Sequence, residues 1–96
     1  MENKFHEVVK QYRKDQEKTV RGFADSLNEK LINTGISYAT VSRWENVERH
    51  YEPDLNFLFE LFVTYTDWRM HFAIDSLKAI MPHVFDSGMI IFHLPK

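Results

Sequence analysis

Short polar and cationic side chains share residues 37–46 with two large apolar ones. On a helix, Val41 and Trp44, three residues apart, face the same side. The opposite side and its flanks carry small or hydrogen-bonding side chains, namely Tyr38, Ala39, Thr40, Ser42, Arg43 and Asn46. The pattern predicts a helix held from behind by apolar residues, with an outward surface suited to hydrogen bonding along an extended polar target.

Several of the outward side chains have a recognisable partner on double-stranded DNA. Arg43 can donate two hydrogen bonds to O6 and N7 of guanine, for roughly 1–3 kcal/mol of discrimination. Ala39 lets the backbone enter the major groove and can touch a thymine methyl group. Tyr38, Thr40 and Ser42 can reach a base edge or a phosphate. The segment therefore predicts a recognition helix that reads the major groove.

Two helices are predicted before this segment. Apolar residues recur at helical spacing over residues 4–14 and again over 20–31, where Thr19 can cap the second helix. Gly35 suits a left-handed position that ends the second helix. Ser37 suits the N-cap of the third helix, which is the outward-facing segment itself.

Two further helices and an apolar tail are predicted after it. Pro53 can open the fourth helix, which is apolar nearly all round and so lies centrally in the core or at a subunit contact. Thr66 and Asp67 can cap a fifth helix over residues 68–80. The apolar run 89–94 suits a short strand, which pairs with a second chain or packs over the helices. The expected fold is all-α, with five helices and a C-terminal extended arm or strand.

Two segments resemble a known family. Residues 19–27 and 36–46, followed by Pro53, are similar to the Cro/CI (XRE-type) helix-turn-helix family of bacterial and phage regulators. Ala24 matches the small residue where the two motif helices cross, and Val41 matches the apolar anchor of the recognition helix. The run Trp44-Glu45-Asn46 matches the aromatic-Glu-Asn ending of the family's motif.

The resemblance covers about residues 4–65 and implies a five-helix DNA-binding domain that acts as a dimer on a two-fold operator. By position it implies four base readers, Tyr38, Ala39, Thr40 and Arg43. It places Thr19 and Asn46 near phosphates.

The chain departs from the family's pattern at two places. Val47 stands where the family usually has glycine, and a β-branched residue resists a positive φ, so the third helix must end differently or run on. The connection between Ala24 and Val41 is also longer than in the compact motif by about two helical turns. These departures leave the angle of docking open.

Charge is distributed unevenly along the chain. The formal net charge is −2, but residues 1–50 hold nine basic and eight acidic side chains, whereas residues 51–96 hold three and six. The basic residues gather at Lys10, Arg13, Lys14, Lys18 and Arg21. Such a cluster suits phosphate contact or, equally, a solvated helix face. Lys18 and Arg21, closest to the motif, are predicted to contact phosphates.

The remaining composition disfavours several classes of protein. The chain has no cysteine, its five histidines show no metal-ligand spacing, and no glycine-rich phosphate loop or nucleophile signature occurs. We therefore expect no enzyme activity, metal, cofactor or small-molecule substrate. No run of about 18 apolar residues and no secretory signal is present, which predicts a soluble cytoplasmic protein without membrane contact.

These observations predict a DNA-binding domain over residues 1–65 and a dimerisation region of the same domain over 66–96. The predicted function is sequence-specific DNA binding by a homodimeric transcriptional regulator, such as a repressor, of phage or mobile-element type. The predicted dimer contacts are Ile74, Leu77, Ile90, Ile91 and Phe92. One alternative is a small packaging-terminase subunit or an excisionase-like factor that marks a DNA site. Another is an antitoxin or interaction module that uses the fold as a scaffold.

Overall fold

The computed structural model describes residues 4–32, 34–49 and 51–82, which form five helices and no strand. The helices are α1 (Phe5–Asp15), α2 (Val20–Asn28), α3 (Tyr38–Trp44), α4 (Leu55–Thr64) and α5 (Trp68–Ile80). The expectation of an all-α fold with five helices is confirmed for this part of the chain. The predicted strand at 89–94 lies outside the described residues.

Polar side chains cap the N-termini of four of these helices. Each accepts a hydrogen bond from a backbone N–H of the first turn, which would otherwise lack a partner. The caps are Thr19 for α2, Ser37 for α3, Asp54 for α4 and Asp67 for α5. The prediction that Pro53 opens α4 is wrong, because Asp54 takes the N-cap and the proline lies two residues before Leu55, the first residue of the helix. Of the two caps offered for α5, Asp67 is the one used.

The second helix ends at Asn28, three residues earlier than predicted. Side chains from elsewhere in the chain bond two backbone carbonyls of its last turn. The Tyr65 hydroxyl donates to Leu27 O at 3.0 Å, and Arg69 Nη1 donates to Ser26 O at 2.7 Å. The Asn28 side chain then bonds both the N–H and the carbonyl of Ile36. Gly35 does not adopt the predicted left-handed conformation. It lies seven residues after Asn28, where α2 has already ended.

All five helices contribute side chains to one hydrophobic core. α4 packs along α5, α2 along α3, and α1 across α5 and α3. The largest fully buried side chains include Phe23, Leu27, Leu58, Leu61, Phe72 and Leu77. Within the described residues, no helix is long and apolar enough to cross a membrane.

The burial of α4 and α5 corrects the expected dimer surface. Leu77 is fully buried among core residues of its own chain and Ile74 is almost so, hence neither offers a side chain to a second chain. Ile90, Ile91 and Phe92 lie outside the described residues. The sequence of α4 is apolar nearly all round, but only the side that carries Phe57, Leu58 and Leu61 is buried.

Candidate nucleic-acid interface

α3 turns toward solvent the side that the sequence predicts. Val41 and Trp44 are buried, whereas Ser42 and Arg43 are exposed and Tyr38 keeps 49 % of its surface open. The helix therefore holds its apolar residues against the core and presents hydrogen-bonding residues outward.

Aromatic packing anchors the buried side of α3. The ring centroids of Trp44 and Phe5 are 5.5 Å apart in an edge-to-face arrangement, and those of Trp44 and Phe57 are 5.6 Å apart. Aromatic pairs are favourable at these separations. Because Trp44 packs on both α1 and α4, the C-terminal half of α3 cannot tilt without opening the core.

A two-point ion pair fixes the end of α3. Arg13 on α1 donates from Nε to Glu45 Oε2 at 2.7 Å and from Nη2 to Glu45 Oε1 at 2.9 Å. The hydrogen bonds to this carboxylate raise the pKa of Arg13. The sequence groups Arg13 with the phosphate-contacting cations, but its guanidinium is committed to positioning α3, and Glu45 is neutralised in return.

The first turn of α3 is closed by its cap. Ser37 Oγ accepts a hydrogen bond from Thr40 N at 3.3 Å and lies 3.2 Å from Thr40 Oγ1. Thr40 is half-buried and lines a cleft of about 350 Å³ with Ile36, Pro53 and other residues. Ala39 is also half-buried. Of the predicted base readers, Tyr38 and Arg43 are therefore more open to a ligand than Ala39 and Thr40.

Arg21 and Tyr38 join α2 to the start of α3. The Arg21 guanidinium carbon lies 4.2 Å from the centroid of the Tyr38 ring, a cation–π arrangement, and both residues are exposed. Stacking restricts the orientation of the guanidinium, which is planar by itself. The pair places a positive charge beside the outward side of α3.

Two predicted phosphate contacts, Lys18 and Thr19, lie at the N-terminal end of α2. Thr19 is exposed and its Oγ1 accepts from Gly22 N at 3.0 Å, so its own O–H remains the group that can donate to a phosphate. Lys18 is half-buried, and its carbonyl accepts from Arg13 Nη1 at 3.3 Å. The Thr19 hydroxyl and the Lys18 carbonyl are therefore each held by a hydrogen bond between a side chain and the backbone.

The other end of α3 runs into an exposed turn at Asn46. Its Oδ1 accepts from Glu48 N at 2.9 Å, so a phosphate contact would use the amide N–H groups. α3 ends through Glu45 in a helical conformation. Among the described non-glycine residues, only Glu17 has a positive φ, at 52°. Val47, which stands where the family usually has glycine, therefore has a negative φ and no backbone strain.

Sequence reasoning missed one cleft of mixed charge near the end of α3. Its volume is about 210 Å³, and the residues that line it include Lys4, His6, Asn46, Arg49 and Glu52. Arg49 is exposed, and its Nη1 donates to the Tyr51 hydroxyl at 3.4 Å. The signal available in the sequence was the position of Arg49, only three residues after Asn46. The proximity of residues 4 and 6 depends on how α1 packs and has no local signature.

Within residues 4–32, 34–49 and 51–82, no group of three metal-ligating side chains occurs. Comparison of the chain with protein-family models, with curated proteins and with solved structures found no match.

Proposed function

We propose that this protein binds double-stranded DNA in a sequence-specific manner by laying α3 in the major groove. One observation carries the proposal: Arg43 and Ser42 face solvent on a helix whose opposite side is locked by the burial of Trp44. A rigid helix with exposed donors costs little ordering entropy on binding.

The reading residues divide by task. Arg43 donates two hydrogen bonds to a guanine edge, while Ser42 and Tyr38 contact neighbouring bases or phosphates. Arg21, stacked on Tyr38, contacts a phosphate beside the groove, with Thr19 donating from the start of α2. At the far end of α3, Asn46 contacts the opposite backbone.

The resemblance of residues 19–27 and 36–46 to the Cro/CI family supports a more specific proposal. The protein is a transcriptional regulator of phage or mobile-element type, and it acts as a dimer. A single short helix reads only a few base pairs, so adequate specificity requires two copies on two half-sites.

Selection of bound duplexes from a random library, at a stated salt concentration, tests this function. We expect enrichment of a palindrome whose half-sites are about 10 base pairs apart, and an affinity that falls steeply as salt rises. Absence of any enriched sequence, with folded protein at tens of micromolar, would overturn the proposal.

A further inference from the structure

The outer side of α4 carries an apolar ridge that no described residue covers. Leu55, Phe59 and Val63 recur four residues apart, with 39 %, 41 % and 75 % of their surfaces exposed. Ile32, 89 % exposed, lies beside them because its N–H is 3.4 Å from Glu60 Oε1 on the same helix. We call these four residues the α4 ridge.

The α4 ridge has the size of an interaction site. Its four side chains expose apolar surface on the order of 400 Å², within the range of patches that mark binding sites on monomers. With a polar rim this approaches the roughly 600–800 Å² per partner that small, specific interfaces bury. Single exposed apolar residues are common, whereas a patch of this area is comparable to the largest apolar patch on a typical monomer, which is often functional.

The charges around the α4 ridge favour a particular geometry. Glu60, the ionisable residue next to it, is committed within the chain, since Thr34 Oγ1 donates to its Oε2 at 2.7 Å. Exposed Glu52 and Asp54 lie at the N-terminal end of α4. Exposed Lys30 lies at the other end, where its N–H donates to the Tyr65 hydroxyl at 2.7 Å. Two such surfaces placed antiparallel bring the acidic end of one opposite the lysine of the other.

We propose that the α4 ridge is the contact between two copies of this chain, which cross antiparallel about a two-fold axis near Phe59. Residues four apart form the ridges that interdigitate in the commonest packing of helices, at about −50° and 8–10 Å between axes. An isologous contact uses the same surface on both copies, which the neutral ridge and the opposite charges at its ends permit. The proposal stands without DNA, and it moves the dimer surface from α5 to α4.

Sedimentation velocity of the full chain without DNA tests the proposal. We expect the wild-type protein to be a dimer at tens of micromolar, and Val63→Asp to raise the dimer dissociation constant at least tenfold, because it buries an unpaired charge. Val47→Asp is the matched control: it introduces the same charge at a valine 57 % exposed on another surface, and it leaves the dimer intact. A wild-type monomer at 100 micromolar, or equal dissociation of both variants, would overturn the proposal.

A crosslinking experiment tests the position of the axis. Because the chain has no cysteine, Phe59→Cys introduces a single thiol near the two-fold axis, and mild oxidation yields a disulfide-linked dimer. Val47→Cys yields none under the same conditions. The proposal fails if Phe59→Cys forms no more covalent dimer than Val47→Cys. It also fails if the thiol of Val63→Cys is shielded from maleimide in a monomeric chain, because another segment of the chain then covers the ridge.

These results separate the dimer from the proposed DNA binding. A dimeric protein that selects no duplex would contradict DNA binding and leave the α4 interface standing. A monomer that selects a single half-site would contradict the interface and leave DNA binding standing.

Discussion

The guanidinium of Arg13 and the carboxylate of Glu45 form a two-point ion pair that ties α1 to the end of α3. The two residues are 32 positions apart, and both side chains are largely shielded from solvent. Bidentate arginine–carboxylate pairs fix orientation as well as distance. This pair therefore sets the direction in which the outward side of α3 points.

Replacing Arg13 with methionine removes this constraint. We expect Arg13→Met to lower the free energy of unfolding by about 1–3 kcal/mol, because it leaves a shielded carboxylate without its donor. Lys14→Met, at an exposed neighbouring position, should change stability by less than about 0.5 kcal/mol. Urea unfolding of both variants measures the difference, and equal stability would show that the ion pair contributes nothing.

Arg43 is the residue whose loss most directly tests base reading. We expect Arg43→Ala to weaken binding to the selected duplex by about 1–3 kcal/mol and to relax specificity at one position per half-site. The fold should be unaffected, because the side chain is exposed. Lys78→Ala removes an exposed cation from α5 and serves as the control in fluorescence anisotropy. Equal losses for both variants would indicate a general charge effect instead of base recognition.

The Tyr65 hydroxyl holds the connection between α2 and α3. It donates to Leu27 O and accepts from Lys30 N, and the residue is buried. Tyr65→Phe leaves both backbone groups without their hydrogen-bond partner, so we expect the free energy of unfolding to fall by about 1–3 kcal/mol. Tyr51→Phe removes a hydroxyl from an exposed tyrosine and should be nearly neutral. Thermal and urea denaturation compare the two, and a neutral Tyr65→Phe would contradict the role of this clamp.

Asp67 makes part of the stability dependent on pH. Hydrogen bonds from the Arg69 side chain hold the pKa of Asp67 below its ordinary value. A lowered folded-state pKa adds stability above the unfolded value of about 3.9, and that stability is lost as pH falls through the lower folded pKa.

We therefore expect wild-type protein and Asp67→Asn to differ most in unfolding free energy at neutral pH. The difference should shrink as pH drops below about 4, because the carboxyl of the unfolded chain is protonated first and that of the folded chain only at its lower pKa. Asparagine remains able to cap α5, which isolates the charge. Urea unfolding from pH 2.5 to 7 measures the difference, and a gap that stays constant with pH would contradict the assignment.

Local patterns in the sequence were enough to predict α3 and α5. The Ser37 cap and the three-residue spacing of Val41 and Trp44 predict both the start and the orientation of α3, because each depends on neighbours within one or two turns. The bounds of α5, Trp68–Ile80, agree with the prediction for the same reason.

Contacts between distant residues decided what the sequence alone could not. Periodicity predicts α2 to residue 31, but Tyr65, 38 positions from Leu27, takes the carbonyl that ends the helix early. The composition of α4 was compatible with a central helix or a subunit contact, and only the packing of α5 against one of its sides left the other uncovered. Chain sequence specifies local dihedral preference and apolar spacing, whereas such pairings depend on how whole helices pack, which has no signature within a few residues.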